Sequence, residues 1–534
     1  MSPFELWERY CRYACTVPDI GLELDVSRID FDDAFLSSME APMEKALDAM
    51  AALEAGAKVN IDEDRQVGHY WLRAPDRAPH DSIGRGITKT VEDIHRFAKD
   101  LYSEAISPER GDGFYVVLVI GIGGSALGPQ LVADALGVGD DHMLIRFLDN
   151  TDPDGIDRIL LELEEVLPQT LTIVVSKSGE TKETRNGMIE VAHAYKRAGL
   201  NFARHAVAVT GEGSALHEQA ARERWLRTFP LWDFVGGRTS VTSAAGLLPA
   251  ALQGIDIDAL LEGARLCDEA TRERDMRKNP AALLSLMWHR AGEGRGRRNM
   301  VVLPYHDRLA LMGKYLQQLV MESIGKARDR RGRSVHQGLT VFGNKGSTDQ
   351  HSFVQQLREG PDDFFVTFLD VLCDRDGSSM KVEEDVTSGD YLHAFRLGTR
   401  AALTGAGRQS ITISLEELTA RSLGALIALF ERAVGLYAEL IDVNAYHQPG
   451  VESGKKTAAA VLSLQRRVFK LLRQQPNARM TPPQIAEVLG ESNEVETIHH
   501  LLRHAARNRD HGVTRTRGRT IGEDRYGAGK VSVE

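Results

Sequence analysis

Cysteine is scarce in this chain. Four occur in 534 residues, Cys11, Cys15, Cys267 and Cys373, and only the first two are close, four apart in a predicted helix. That excludes a disulfide scaffold and leaves reduced, buried thiols as the expectation. No stretch approaches the ~20 apolar residues of a membrane span. Glu5, Glu8, Arg9 and Arg12 break up any apolar run of a signal sequence at the N-terminus, so a cytoplasmic location is expected. No short repeat or low-complexity tract is present, and no His/Cys cluster has zinc-site spacing, so no metal is expected. The net charge of −11 argues against a chain-wide nucleic-acid surface, while a local cationic pocket could still attract a phosphorylated small molecule.

What is present is ample core-forming material, with 42% hydrophobic residues in a chain long enough for several cores. Residues 1–110 read as helices and loops, with Met43, Leu47, Met50 and Leu53 at helical spacing. The run Phe114-Tyr115-Val116-Val117-Leu118-Val119-Ile120 then reads as a strand buried on both faces of a parallel sheet. Leu171–Val175, Ala206–Val209, Val301–Leu303 and Phe364–Leu369 are further candidate strands, separated by segments long enough for crossover helices. The alternation occurs on both sides of residues 254–277. It predicts an α/β fold with two parallel-sheet domains flanked by helices, at 111–255 and 256–465, behind a helical N-terminal region (1–110) and ahead of a C-terminal extension (466–534).

Gly121-Ile122-Gly123-Gly124-Ser125-Ala126-Leu127-Gly128-Pro129 follows the first strand. Glycines let backbone approach an anion, the next helix offers free N–H groups, and Ser125 adds a hydroxyl. A relaxed dinucleotide fingerprint, with Asp149 as its ribose-binding acid, is one alternative; a merely tight turn is another. The Gly-Lys-Ser/Thr ending of a Walker loop is absent. After the second strand, Ser176-Lys177-Ser178-Gly179-Glu180-Thr181-Lys182-Glu183-Thr184 concentrates hydroxyls that can donate to phosphate oxygens, although Ser178 or Thr181 could equally cap a helix. A dinucleotide fold does not predict this second loop.

Gly236-Gly237-Arg238-Thr239-Ser240 combines close backbone approach with a guanidinium fork. Leu309, Leu311, Met312, Tyr315, Leu316 and Leu319 recur at helical spacing, placing Gln318 and Glu322 together beside an apolar stripe. Glu322 is thus a candidate base; the competing reading is a solvated pair with Lys326, contributing ~0.2–0.5 kcal/mol. His351 opens a helix after a polar, glycine-punctuated loop, where an imidazole can exchange protons near neutral pH. In Gly450-Val451-Glu452-Ser453-Gly454-Lys455 the lysine reads, by itself, only as a helix start.

Together, GIGGSALGP, SKSGETKET, GGRTS, QLVMESIGK, DQHSF and GVESGK occur in the order of the glucose-6-phosphate isomerase family, which this chain resembles over roughly residues 65–460. The resemblance implies two sugar-isomerase-type domains and interconversion of glucose 6-phosphate and fructose 6-phosphate by ring opening and enediol proton transfer, with neither cofactor nor metal. It assigns Glu322 as the base, His351 and Lys455 to ring opening, and Arg238 to the enediolate charge. Gly124, Ser125, Ser176, Lys177, Ser178, Thr181, Gly237 and Gln318 become the substrate-binding residues. It also implies a homodimer, with the histidine reaching the partner's site. Gly179 and Glu180 depart from bulkier or hydroxyl residues in many relatives, and Ile324 replaces an asparagine common in animal members; an inward Glu180 would add negative charge to the phosphate loop.

The extension reads as helix, turn, helix and a basic hairpin over 512–522, resembling a winged helix. Arg503, Arg507, Arg515, Arg517 and Arg519 could contact nucleic acid, but Glu487, Glu491, Glu494 and Glu496 dilute that footprint and favour a packing or oligomerisation appendage. Two alternatives follow: an isomerase that also accepts mannose 6-phosphate, and a sugar-phosphate-sensing DNA-binding regulator. The regulator would have no reason to keep Glu322, His351 and Lys455 together.

Overall fold

Leu22, Leu24 and Val26 alternate with Glu23, Asp25 and Ser27, and that period of two makes a strand inside the region expected to be helical. In the computed structural model, β1 (Ala14–Val17) and β2 (Leu22–Arg28) form an antiparallel hairpin between the helices Pro3–Tyr13 and Asp33–Glu54. The expectation of helices and loops alone over 1–110 is corrected accordingly. The alternation spans only six residues, too few to stand out in a mainly helical region, and the strand is stabilised by pairing with distant residues 410–415. The structure describes residues 2–529, apart from the side chains of 451–453, 455 and 456.

The first parallel sheet contains β3 (Val116–Ile120), β4 (Leu144–Leu148), β5 (Thr170–Ser176), β6 (Ala206–Thr210) and β7 (Arg227–Pro230), in the order β4-β3-β5-β6-β7. Every residue of β3, β5 and β6 is buried, as their unbroken apolar runs require in a sheet covered on both faces.

The second sheet uses β8 (Asn299–Pro304). A small hairpin follows, β9 (Lys326–Arg328) with β10 (Ser334–Gln337), and then β11 (Val341–Phe342) and β12 (Phe364–Val371). A further pair, β13 (Lys381–Glu383) and β14 (Val386–Thr387), precedes β15 (Ser410–Leu415). The sheet order is β1-β2-β15-β12-β8-β11, parallel from β15 to β11 and antiparallel where β2 joins β15.

Both sheets feed one core, in which Val117 and Ile173 join Val302 and Ile411 around the helix Ala420–Leu440. That helix is buried without interruption from Ser422 to Ala438, and the two charged residues in that span, Glu431 and Arg432, are ion-paired with Arg73 and Glu54. Among the described residues, no helix is long and apolar enough to cross a membrane.

Residues 1–447 form one compact unit and 448–534 another, so the second unit begins earlier than the expected 466 and includes the helix Pro449–Gln474. Its own core packs Val468 and Leu472 with Ile485, Ile498, Leu502 and Tyr526. The helices Pro482–Leu489 and Val495–Ala505 are followed by β16 (Val513–Thr516) paired antiparallel with β17 (Arg525–Ala528). The hairpin therefore returns later than the expected 512–522, because Gly518 N–H and Arg515 both bond Asp524 and close a longer connection.

Candidate active site

The chain leaves β3 for β4 and must then cross back over β3 to reach β5. The glycine-rich turn after β3 and the hydroxyl-rich turn after β5 therefore flank the point where strand order reverses, and a crevice opens there at the carboxyl ends of the strands. This topology brings together motifs some fifty residues apart in sequence.

Gly123–Ser125 form a short 3₁₀ turn before the helix Leu127–Leu136. A Cβ on Gly124 would stand 1.9 Å from the Gly237 carbonyl oxygen, so only glycine permits this approach of the two loops. Ser240 Oγ donates to the Gly124 carbonyl at 3.1 Å and fastens them.

In the second turn, Ser176 is buried and accepts the Gly179 N–H at 3.1 Å, while Ser178 accepts the Glu180 N–H at 3.2 Å. Gly179 has φ +71°, and a Cβ there would meet the Leu216 nitrogen at 2.4 Å. The departure at Gly179 thus answers a backbone need. Thr181 stands at the start of the helix Lys182–Arg197 without a side-chain capping bond; its hydroxyl lies 3.4 Å from Ser176 Oγ. The capping explanation therefore does not hold for Thr181. Glu180 is exposed.

Lys177 does something the sequence did not suggest. Its Nζ donates to the carbonyls of Asp233 (2.7 Å) and Val235 (3.1 Å), and burial lowers its pKa against the opposing pull of the Asp233 carboxylate. The ammonium ties the hydroxyl turn to the segment leading into Gly236-Gly237-Arg238.

The segment carrying Glu322 is not the regular helix expected. Met312–Leu316 is α-helical, Gln317–Glu322 is a π turn, and Lys326 already begins β9. Leu309, Met312, Tyr315, Leu316, Leu319 and Val320 are buried, so the apolar stripe holds the turn to the core. Its i→i+5 bonding widens the coil, a local geometry frequent at functional sites. Gln318 Nε2 donates to Glu322 Oε2 at 3.1 Å. A Cβ on Gly123 would meet the same Gln318 nitrogen at 3.1 Å, so Gln318 spans from the glycine turn to the carboxylate.

Lys326 does not pair with the Glu322 carboxylate. Its Nζ donates to the main-chain carbonyls of Glu322 (2.8 Å) and Ser323 (2.7 Å), closing the end of the turn. Burial pushes its pKa down to about 7, with repulsion from Arg238 adding to the shift and Glu322 and Asp62 opposing it. Lys326 was missed as a site residue because its position four after Glu322 reads as an ordinary surface pair.

Arg238 is buried, and its Nη1 lies 3.6 Å from Glu322 Oε2 without a hydrogen bond. Nη2 donates to the Ala445 carbonyl at 3.0 Å. Burial lowers its pKa and Glu322 opposes the shift. Glu322, Gln318, Arg238 and the paired glycine turns therefore form one continuous group. Exposed His351 ends the 3₁₀ turn Thr348–His351, and among the described residues it makes none of the bonds that join this group. The Lys455 side chain lies outside the described residues.

Fold and site together define an α/β protein whose sheet switch point sets glycine-rich and hydroxyl-rich turns near a carboxylate and a partly unpaired guanidinium. A family model described as phosphoglucose isomerase matches residues 25–389 and 381–471, and the chain belongs to that family. It is 57% identical to a glucose-6-phosphate isomerase of Citrifermentans bemidjiense over 526 residues, covering 98% of this chain and 99% of the relative. It is likewise 57% identical to one of Geobacter sulfurreducens over 529 residues, 99% and 100% of the two chains. A crystal structure of a glucose-6-phosphate isomerase from Chlamydia trachomatis superposes with a TM-score of 0.77 at 28% identity, covering 86% of this chain and 91% of that one. The family match stops at residue 471, but these two relatives span nearly all of this chain, so they share most of the extension.

Proposed function

We propose that this chain is an aldose–ketose isomerase that interconverts glucose 6-phosphate and fructose 6-phosphate. The observation that carries the reading is the Glu322 carboxylate, oriented by Gln318 and facing Arg238 at the lip of the glycine turn. The relatives' names favour this reaction over a dual glucose/mannose isomerase or a DNA-binding regulator.

In the proposed mechanism, Ser125, Ser176, Ser178 and Thr181 hold the phosphate through hydroxyl donors, with Gly124 and Gly237 allowing close approach of backbone. Lys177 positions that loop through its carbonyl bonds rather than by touching phosphate. His351 and Lys455 are proposed to open the sugar ring. Glu322 then takes the C2 proton of the open-chain aldose and returns it to C1 of the enediol, and the reverse for the ketose. Arg238, with one nitrogen unbonded, stabilises the negative oxygen that develops between these steps.

Glu322→Gln keeps the shape and the bond to Gln318 while removing the base. In a coupled assay of fructose 6-phosphate conversion, kcat should fall by ~10²–10⁴-fold. A folded variant with near-parental turnover would remove Glu322 from its role; an inactive parent would remove the whole reading.

The homodimer remains a proposal, supported by the exposed setting of His351, a residue free to reach a neighbouring subunit. Light scattering at assay concentration should give twice the chain mass, and a monomer with full activity contradicts it. The extension is proposed as a packing appendage rather than a nucleic-acid reader, since Arg515 is bound to Asp524 and withdrawn from the basic edge.

A further inference from the structure

The segment Asn444-Ala445-Tyr446-His447 carries the carbonyl that Arg238 holds, and it lies in neither helix nor strand. Side chains from a turn near the N-terminus fix it instead. Asn60 N–H donates to the Arg65 carbonyl at 3.3 Å and Arg65 N–H to the Asn60 carbonyl at 3.2 Å, while Asp64 closes the turn at φ +50°, a left-handed conformation that aspartate tolerates. The closed turn presents Asn60 and Asp62 to the distant segment.

Asn444 is buried and spends its whole amide there. Its Nδ2 donates to Asp62 Oδ2 at 2.6 Å and to Asn60 Oδ1 at 3.0 Å, and its Oδ1 accepts the Tyr446 N–H at 2.9 Å, so its bonds bracket Ala445. Asn60, also buried, donates to Glu63 Oε2 at 3.0 Å and to the Tyr446 carbonyl at 3.4 Å. Neither amide can rotate without stranding a buried polar group. The shortest of these bonds ends on the Asp62 carboxylate, and a charged acceptor makes the stronger kind of hydrogen bond. The other side of the turn is tied to the chain that leads into Arg238: Arg65 Nε lies 3.4 Å from Asp233 Oδ2, and Gly68 N–H donates to the Phe234 carbonyl at 2.9 Å. One turn therefore holds both the approach to Arg238 and the carbonyl that its side chain grips.

We propose, on the isomerase reading above, that Asp62 is a positioning residue for the reaction, acting through Asn444 and the Ala445 carbonyl to keep the Arg238 fork aimed beside Glu322. Arg238 is thinly attached: Nη2 is bonded to Ala445 and Nη1 is unbonded, so the direction of the fork follows that carbonyl. A donor that acts on charge developing in the transition state has to be aimed before the charge appears. Asp62 also brings a charge of its own, which opposes the fall in the Lys326 pKa and stands 3.5 Å from His447 Nε2. Bond and charge therefore have to be separated experimentally.

Asp62→Ala, Asp62→Asn and Lys58→Ala are compared with the parent in the coupled assay of fructose 6-phosphate conversion, and Asp62→Ala is repeated in the Arg238→Gln background. Asp62→Ala should lower kcat about tenfold, part of the ~10²–10³-fold loss expected when the donor itself is removed. KM should stay within about twofold, because the weakened interaction is made in the transition state. Asp62→Asn, whose amide oxygen accepts the same bond without the charge, should keep kcat within about threefold of parental. Once Arg238 is Gln, Asp62→Ala should change kcat by less than about twofold, since both changes then remove one interaction. Lys58→Ala cuts the exposed bond to Asp64 in the same turn and should leave kcat unaltered. If Asp62→Ala does not fold, Asp62→Ser, too short to reach Asn444, takes its place. Parental kcat in Asp62→Ala beside a crippled Arg238→Gln overturns the positioning role alone, as does Asn behaving like Ala, a loss confined to KM, or a full Asp62 effect persisting without Arg238. Parental kcat in Arg238→Gln overturns it by removing the residue through which Asp62 acts. An inactive parent removes the isomerase reading and this role with it.

Discussion

Arg73 and Arg238 are both buried guanidiniums facing carboxylates, yet their surroundings differ in one respect. Arg73 spends its whole fork on protein: Nε and Nη2 donate to Asp268 at 2.6 and 2.9 Å, and Nη1 to Glu431 at 2.5 Å. Arg432 donates to the same Asp268 and extends the network. Arg238 has one carbonyl bond and a carboxylate 3.6 Å away that it does not hydrogen-bond. A saturated fork locks elements together; a fork with a free nitrogen beside a carboxylate is what the role proposed for Arg238 requires. Burial and charge alone do not tell these two arginines apart, whereas the count of unmet hydrogen bonds does.

The largest expected effect tests the saturated side. Arg73→Met leaves Glu431 without its guanidinium and Asp268 with Arg432 alone, and removing one partner of a buried network costs ~3–5 kcal/mol. Denaturant unfolding should register that loss while kcat per folded molecule stays near parental. A kcat that collapsed with little change in stability would reverse the two roles.

Arg238→Gln tests the other side. It should lower kcat by ~10²–10³-fold, as loss of one donor to a developing oxyanion does, with a much smaller effect on the unfolding midpoint. A variant losing stability but little turnover would make Arg238 another structural cation.

Lys326 sharpens the comparison most gently, as a buried cation bound only to main-chain carbonyls. Its folded pKa, about 7, lies below its ordinary value of 10.5, so the unfolded chain binds more protons between these limits. Its contribution to stability is therefore full above pH 10.5 and is lost as pH falls towards 7. Relative to Lys326→Met, the parent should gain stability by about 1 kcal/mol per pH unit across pH 7.5–9.5. A flat difference would mean that this lysine is charged throughout the range.

Much of the architecture was legible in the chain itself. The apolar runs at 114–120, 171–175, 206–209, 301–303 and 364–369 read as strands and each overlaps one, while the glycine and hydroxyl content of the turns after β3 and β5 marked them as candidate anion sites. Spacing alone placed Gln318 beside Glu322, and the two are bonded. The N-terminal hairpin was not legible, because β2 is held by β15, nearly four hundred residues away. Nor was the role of Lys177, whose type and place in a hydroxyl loop suggest phosphate while its bonds run to Asp233 and Val235.

By itself, then, the sequence indicated the central buried strands and the short motifs that are candidates for chemistry, since both follow from local pattern and residue type. The tertiary structure alone decided which motifs meet. Strand order set the two turns at one switch point, the π turn aimed Glu322, and Ala445 anchored Arg238 facing it. Those outcomes depend on contacts between residues far apart in the chain, and no local pattern encodes which donor will be left without a partner.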